Sequence, residues 1–70
     1  MTRYQAQLLR RSEVCRRILD LIRSRESITS REIGVELPDI PIRDRTNAVR
    51  ILREAGLIER SDRTSWRAIR

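Results

Sequence analysis

Apolar residues recur along the first third of the chain at helical spacing. Val14, Cys15, Ile18, Leu19, Leu21 and Ile22 fall at i, i+3, i+4 and i+7, while Glu13, Arg16, Arg17, Asp20 and Arg23 take the other side. This is the pattern of an amphipathic helix with one face towards a core. Ser12 is a candidate N-cap. Tyr4 and Leu8 extend the stripe upstream with no Gly or Pro between them, so a start near Tyr4 is the alternative. The expectation is a break or frayed turn near Ser12. It would divide an N-terminal arm or helix extension, residues 1–11, from a domain over residues 12–70.

Thr29-Ser30-Arg31-Glu32 has the T-x-x-E spacing of a capping box, in which the hydroxyl and the carboxylate each accept from the other residue's amide. A second helix is expected from about Ser30 to Leu37. Pro38 ends it, because the residue before a proline is pushed out of the α region. Ile28 either pairs as a short edge strand or staples against Ile33. Pro38-Asp39-Ile40-Pro41 reads as a stiff turn. A third helix then starts between Pro41 and Asp44 and runs, from about Asp44, to Ala55; its apolar positions are Ala48, Val49, Leu52 and Ala55, with Ile51 beside them, and Ala48, Val49 and Leu52 pack inward. Asp44 is its expected N-cap, with orientation of Arg43 or Arg45 as the other role. Gly56 suits the residue after the C-cap, where φ turns positive. Beyond it the period drops towards two. Leu57–Arg60 and Ser65–Ile69 read as strands around a polar turn, Ser61–Thr64. Without glycine in that turn, a four-residue loop fits better than a tight hairpin.

The chain has 70 residues, so it holds one domain with a small core and little room for a catalytic cleft. There is one cysteine and no histidine. That excludes a zinc site of Cys and His ligands, and excludes His-based general-base or triad chemistry. Cys15 lies on the apolar stripe and reads as core. No apolar run approaches the roughly 20 residues that cross a bilayer, and the first ten residues lack a signal-peptide core. The expectation is a cytoplasmic protein, not an enzyme, with no cofactor, no metal, no membrane association and no small-molecule ligand.

The net charge is +6, and all sixteen basic residues are arginine. An arginine-only set fits a GC-rich coding sequence. It also fits contact with phosphates and guanine edges, which suit the guanidinium fork. The charge is unevenly placed. Residues 1–25 carry seven arginines against Glu13 and Asp20. Residues 26–40 carry Arg31 against Glu26, Glu32, Glu36 and Asp39. Residues 41–70 carry eight arginines against Asp44, Glu54, Glu59 and Asp62. Such banding suggests that particular elements face a polyanion.

The fold class expected is mainly α with a small β wing, in the order helix, short optional strand, helix, helix, strand, strand. From about Ser12 to Arg70 the chain resembles the winged helix-turn-helix family. Ile28-Thr29-Ser30-Arg31-Glu32-Ile33-Gly34 looks like its capped second helix. Arg45 to Arg60, closing on Leu52-Arg53-Glu54-Ala55-Gly56-Leu57-Ile58-Glu59-Arg60, looks like its recognition helix running into the wing. LexA-, GntR- and MarR-type DNA-binding domains end their third helix this way. Gly34 departs from the alanine usual there. The expectation is a bare DNA-binding module, without a flanking dimerisation helix or effector domain and without a ligand-sensing role.

The resemblance implies sequence-specific binding of double-stranded DNA, with the third helix in the major groove, as in a small transcriptional regulator or a phage or plasmid accessory factor. The implied contacts are Arg43, Arg45, Thr46, Asn47, Arg50 and Arg53 on the third helix. Arg43, Asn47 and Arg50 lie at i, i+4 and i+7. Arginine reads guanine and asparagine reads adenine through paired hydrogen bonds. On the wing the contacts are Arg60, Arg63 and Arg67, with Arg70 beyond them. Arg63 either enters a narrow minor groove or meets phosphates. Ser30 and Arg31, at the start of the second helix, hold a phosphate or only cap it. Trp66 reads as the anchor of the wing on the core. A homodimer through residues 1–25 would lengthen the site. The alternatives are a protein-interaction winged helix and an accessory subunit of a larger nucleic-acid complex.

Overall fold

The computed structural model describes residues 2–69, without the side chains of Tyr4, Ala6, Gln7 and Leu8. Arg70 and the stripe positions Tyr4 and Leu8 therefore lie outside the described side chains. α1 spans Arg3–Arg23 as one helix. The break expected near Ser12 is absent, and the reason sits at Thr2. The Thr2 hydroxyl accepts from the Gln5 amide at 3.2 Å, and Gln5 Oε1 accepts from the Thr2 amide at 3.0 Å. This T-x-x-Q box starts the helix ten residues before Ser12. Ser12 is then an exposed mid-helix serine, a position that costs only a few tenths of a kcal/mol. Ile18 and Ile22 carry the buried face of α1, flanked by the half-buried Val14, Cys15, Leu19 and Leu21.

β1 is Ile28–Thr29 and α2 is Ser30–Glu36. The capping box forms as its spacing predicts: Thr29 Oγ1 accepts from the Glu32 amide at 3.0 Å, and Glu32 Oε1 from the Thr29 amide at 3.2 Å. Leu37, before Pro38, leaves the helical region with ψ 63°. The turn that follows is tied down twice. Ile40 is buried in the core, and Asp39 accepts two hydrogen bonds from Arg17 at 2.7 and 3.1 Å. The sequence pattern missed Ile40, because it stands alone between two prolines and belongs to no periodic run.

α3 spans Ile42–Glu54 with Pro41 as its N-cap residue. Asp44 is therefore not the cap, contrary to expectation. The Pro41 carbonyl accepts the first helical bond, from the Arg45 amide at 3.0 Å, and proline enters a helix with φ already set. Asp44 sits inside the first turn, where a carboxylate favours the positive end of the helix. At the other end Gly56 has φ +76°. The Gly56 amide bonds the Arg53 carbonyl and the Leu57 amide bonds the Leu52 carbonyl, each at 3.0 Å. This is a Schellman stop.

β2 is Ile58–Arg60 and β3 is Ser65–Ala68. The three strands form an antiparallel sheet in the order β1-β3-β2. The loop between β2 and β3 has four residues, as expected. Asp62 Oδ1 closes it by accepting from the amides of Thr64 at 2.8 Å and Ser65 at 2.9 Å. The core is Ile18, Ile22, Ile28, Ile33, Ile40, Ala48, Leu52, Ile58 and Trp66. Every element contributes at least one of these residues. Because the chain has no phenylalanine, the bulk of that core comes from stiff β-branched isoleucine and one indole. Among the described residues no helix is long and apolar enough to cross a membrane.

Gly34 has a local reason. A Cβ there would collide with the guanidinium of Arg45, which lies across α2 at this point. Arg45 Nε is buried without a hydrogen-bond partner among the described residues. The obstructing group is the end of a flexible side chain that loses nothing by swinging into water. Gly34→Ala should therefore gain helix propensity, about 0.5–1 kcal/mol, and raise the melting temperature by a few degrees. A thermal melt in which this variant unfolds several degrees below wild type would show that the Arg45 seat matters to stability.

Candidate nucleic-acid interface

α3 is where the expected contact residues concentrate, because Ala48 and Leu52 are drawn into the core. With those two inward, Arg43, Thr46, Asn47, Arg50 and Arg53 are exposed. Arg43, Asn47 and Arg50 line a cleft of about 520 Å³ between α3 and α1, facing Arg10 and Arg11 across it. Its floor is Val14, Cys15, Ala48 and Ile51. Burial pushes the Cys15 thiol pKa up, which makes it a poor nucleophile and a good piece of floor. Thr46 lies on the other flank, towards α2, and its hydroxyl donates to the Ile42 carbonyl at 2.9 Å.

Two expected contacts are not brought to this surface. Arg45 is half-buried and turned over Gly34 between α2 and α3. It is two positions from Arg43, and 200° of helical rotation carries it off the line of Arg43, Asn47 and Arg50. Arg67 is across the strand from Glu59 and bonds it at 2.8 Å. Side chains alternate along a strand, so Arg67 stands on the opposite face of the hairpin from Arg60 and Trp66. It neighbours Arg23 and Arg25 instead.

The other expected residues converge. Arg60 pairs with Trp66 across β2 and β3, and its guanidinium lies 4.9 Å from the indole centroid. Its Nη1 donates to the Arg63 carbonyl at 2.7 Å, which leaves the Arg63 side chain exposed at the hairpin tip. Arg53 reaches the same indole from α3, at 5.8 Å. The indole Nε1 donates to Ser30 Oγ at 3.2 Å. Ser30 is thus held by Trp66, and Arg31 beside it is exposed along the cleft that Arg60 and Trp66 line.

The acidic band has a more specific use than keeping α2 clear of a polyanion. Glu36 pairs with Arg25 at 3.3 Å, and Asp39 with Arg17 at 2.7 Å. Asp44 pairs with Arg10 at 3.6 Å. These carboxylates tie the turn and α3 to α1 through Arg17 and Arg10, and α2 to Arg25 just past the end of α1. Among the described residues Arg31, Arg43, Arg50, Arg53, Arg60 and Arg63 have no carboxylate within 4.0 Å. The paired arginines are Arg10 and Arg17 on α1, Arg25 just past its end and Arg67 on the outer hairpin face; the unpaired ones form one group on α3, the start of α2 and the hairpin tip, and a second group, Arg11, Arg16 and Arg23, along α1. Sequence reasoning missed Arg10 and Arg11 as neighbours of this surface. The signal was Thr2 and Gln5, whose box carries α1 back far enough to place them.

Two carboxylates have pKa values below the usual range. Hydrogen bonds from Arg17 lower that of Asp39. The Thr64 amide, then Ser65, lowers that of Asp62. A carboxyl depressed in the folded state stabilises above its unfolded pKa near 3.9, and that contribution is lost as pH falls through the folded value. Stability should stay level from neutral pH to about 5 and decline below about 4. Melting curves of an Asp39→Asn, Asp62→Asn double variant should show a shallower acid decline than wild type; an identical decline would remove these two groups from the account.

Comparison of the chain with protein-family models, with curated proteins and with solved structures gives no match.

Proposed function

We infer that this chain is a double-stranded DNA-binding protein of winged helix-turn-helix type, acting as a small transcriptional regulator or an accessory factor. The single observation that carries the reading is the uncompensated arginine set. Among the described residues Arg31, Arg43, Arg50, Arg53, Arg60 and Arg63, around α3, the start of α2 and the hairpin tip, have no carboxylate within 4.0 Å, while the four paired carboxylates hold Arg10, Arg17, Arg25 and Arg67. A surface kept this way repels itself until a polyanion covers it. An α-helix fits the roughly 12 Å width of a major groove. In this reading the exposed face of α3 enters it, with Arg43, Asn47 and Arg50 towards base edges. Arg63 and Arg60 of the wing, and Arg31 of α2, meet the flanking backbone.

Pairing of two copies through residues 1–25 belongs to the same reading. Arg11, Arg16 and Arg23 on the exposed surface of α1 have no carboxylate within 4.0 Å among the described residues. A duplex bridging two copies would relieve their mutual repulsion. Sedimentation should then give a second copy only when duplex is present.

The alternative, a protein-interaction module or subunit of a larger nucleic-acid complex, has its own observation. Val35 and Ile42 are each 71% exposed and line one cleft between α2 and α3. Capture of a partner that survives substitution of both Arg43 and Arg50, and survives nuclease, would favour it.

Fluorescence anisotropy with duplexes tests the main reading. Affinity should fall steeply with salt, by about 0.9 log units per decade for each phosphate contacted. Arg50→Ala should weaken the preferred site by about 1–3 kcal/mol and flatten the preference among sequences. Binding that ignores salt, or no binding to any duplex, would reject the function.

A further inference from the structure

Trp66 does more than anchor the hairpin. Its indole is buried and its Nε1 is fixed by Ser30, so the ring has one orientation. Two guanidiniums from different elements lie over that ring, Arg53 at 5.8 Å and Arg60 at 4.9 Å. Both distances are within the reach of a cation–π contact, and tryptophan is the best acceptor. Arg60 is further held by the Arg63 carbonyl. No carboxylate lies within 4.0 Å of either arginine among the described residues.

We propose that Arg53 and Arg60, held over Trp66, form a binding site for one sugar–phosphate strand at the junction of α2, α3 and the hairpin, with Trp66 as the residue that positions both. This rests on the duplex reading and assigns one part of it. A guanidinium stacked on a ring uses its face, and its in-plane N–H groups stay free to donate to phosphate oxygens. Arg60 spends one donor on Arg63 and keeps the rest. The two centroid distances keep the guanidinium carbons within about 11 Å of one another. Phosphates of one strand advance about 3.4 Å along the duplex axis each, so the pair falls on two or three consecutive phosphates. Two like charges sharing one ring repel, and a bound strand removes that repulsion. Arg31, exposed along the cleft that Arg60 and Trp66 line, widens the cationic rim.

The site is sequence-blind by construction, since it reads only backbone. Its test is the salt dependence of affinity, measured by anisotropy on two unrelated duplexes of about 20 base pairs, between about 50 and about 200 mM salt. Arg53→Gln and Arg60→Gln should each reduce the slope of log affinity against log salt by about 0.9, equally on both duplexes. Trp66→Phe, which keeps a ring face, should retain the wild-type slope. Trp66→Leu should lose about as much slope as both glutamine substitutions together, although both arginines remain. Should the leucine variant fail to melt cooperatively, Trp66 emission decides. It should change when duplex is added to wild type and stay constant in the Arg53→Gln, Arg60→Gln double variant.

Unchanged slopes in both glutamine variants, with wild type binding normally, would overturn the strand site. A loss confined to one duplex would do the same, because it would mark base reading. A folded Trp66→Leu variant with the wild-type slope would remove the positioning role. Wild type that binds neither duplex would reject the duplex reading itself, and the strand site with it.

Discussion

The fold depends on where Trp66 is placed. β3 is the middle strand of the sheet, and its second residue, Trp66, pairs with Ile28 on one side and Arg60 on the other. The indole then reaches the first turn of α2 through Ser30 and the last turns of α3 through Arg53. In a chain of 70 residues without phenylalanine, no other group among the described residues is wide enough to span those elements. An apolar body with one polar edge suits the position: the body closes the core and the edge finds its single acceptor. The hairpin and the two helices of the candidate surface are held by the same side chain, so their relative placement is set once.

Charge organises what the core does not reach. α1 is more than half again as long as α3, and its arginines would repel the rest of the molecule if left alone. Asp44 and Asp39 answer two of them, Arg10 and Arg17, and Glu36 answers Arg25 just past the helix end. Exposed ion pairs contribute little to stability one by one. Their effect here is positional. They pin the end of α2, the proline turn and the start of α3 against α1 and the residues just past it, and they occupy acids that would otherwise screen α3. The cationic surface is thus partly a product of where the carboxylates went.

Much of the fold was legible because its signals are local. The Thr29 box, the stop at Pro38, Gly56 and the four-residue loop each depend on a few adjacent residues, and each formed. The continuous α1 was equally local but was read from Ser12, a residue type that caps helices and also tolerates their interior. Ile40 and the partner choice of Arg45 were not legible. Burial of a lone isoleucine between prolines, and a guanidinium laid over a glycine eleven positions before it, depend on how separate elements approach. Arg67 was misplaced for a simpler reason. Counting arginines on a hairpin ignores that strands present alternate residues to opposite sides, and the pairing with Glu59 needed the register. The α3 line of Arg43, Asn47 and Arg50 was readable from its spacing; that Arg10 and Arg11 face it was not.

An all-arginine cation set has a consequence for control. Guanidinium keeps its proton at any pH a cell reaches, the chain has no histidine or lysine, and burial moves the Cys15 thiol further from neutrality. No side chain of the ordinary neutral-range type, histidine, is present to change charge between mild acid and mild base. Acidification of the surroundings therefore offers no handle on this surface. On the duplex-binding reading, release would then come through ionic strength or through a rival anion competing for the same guanidiniums.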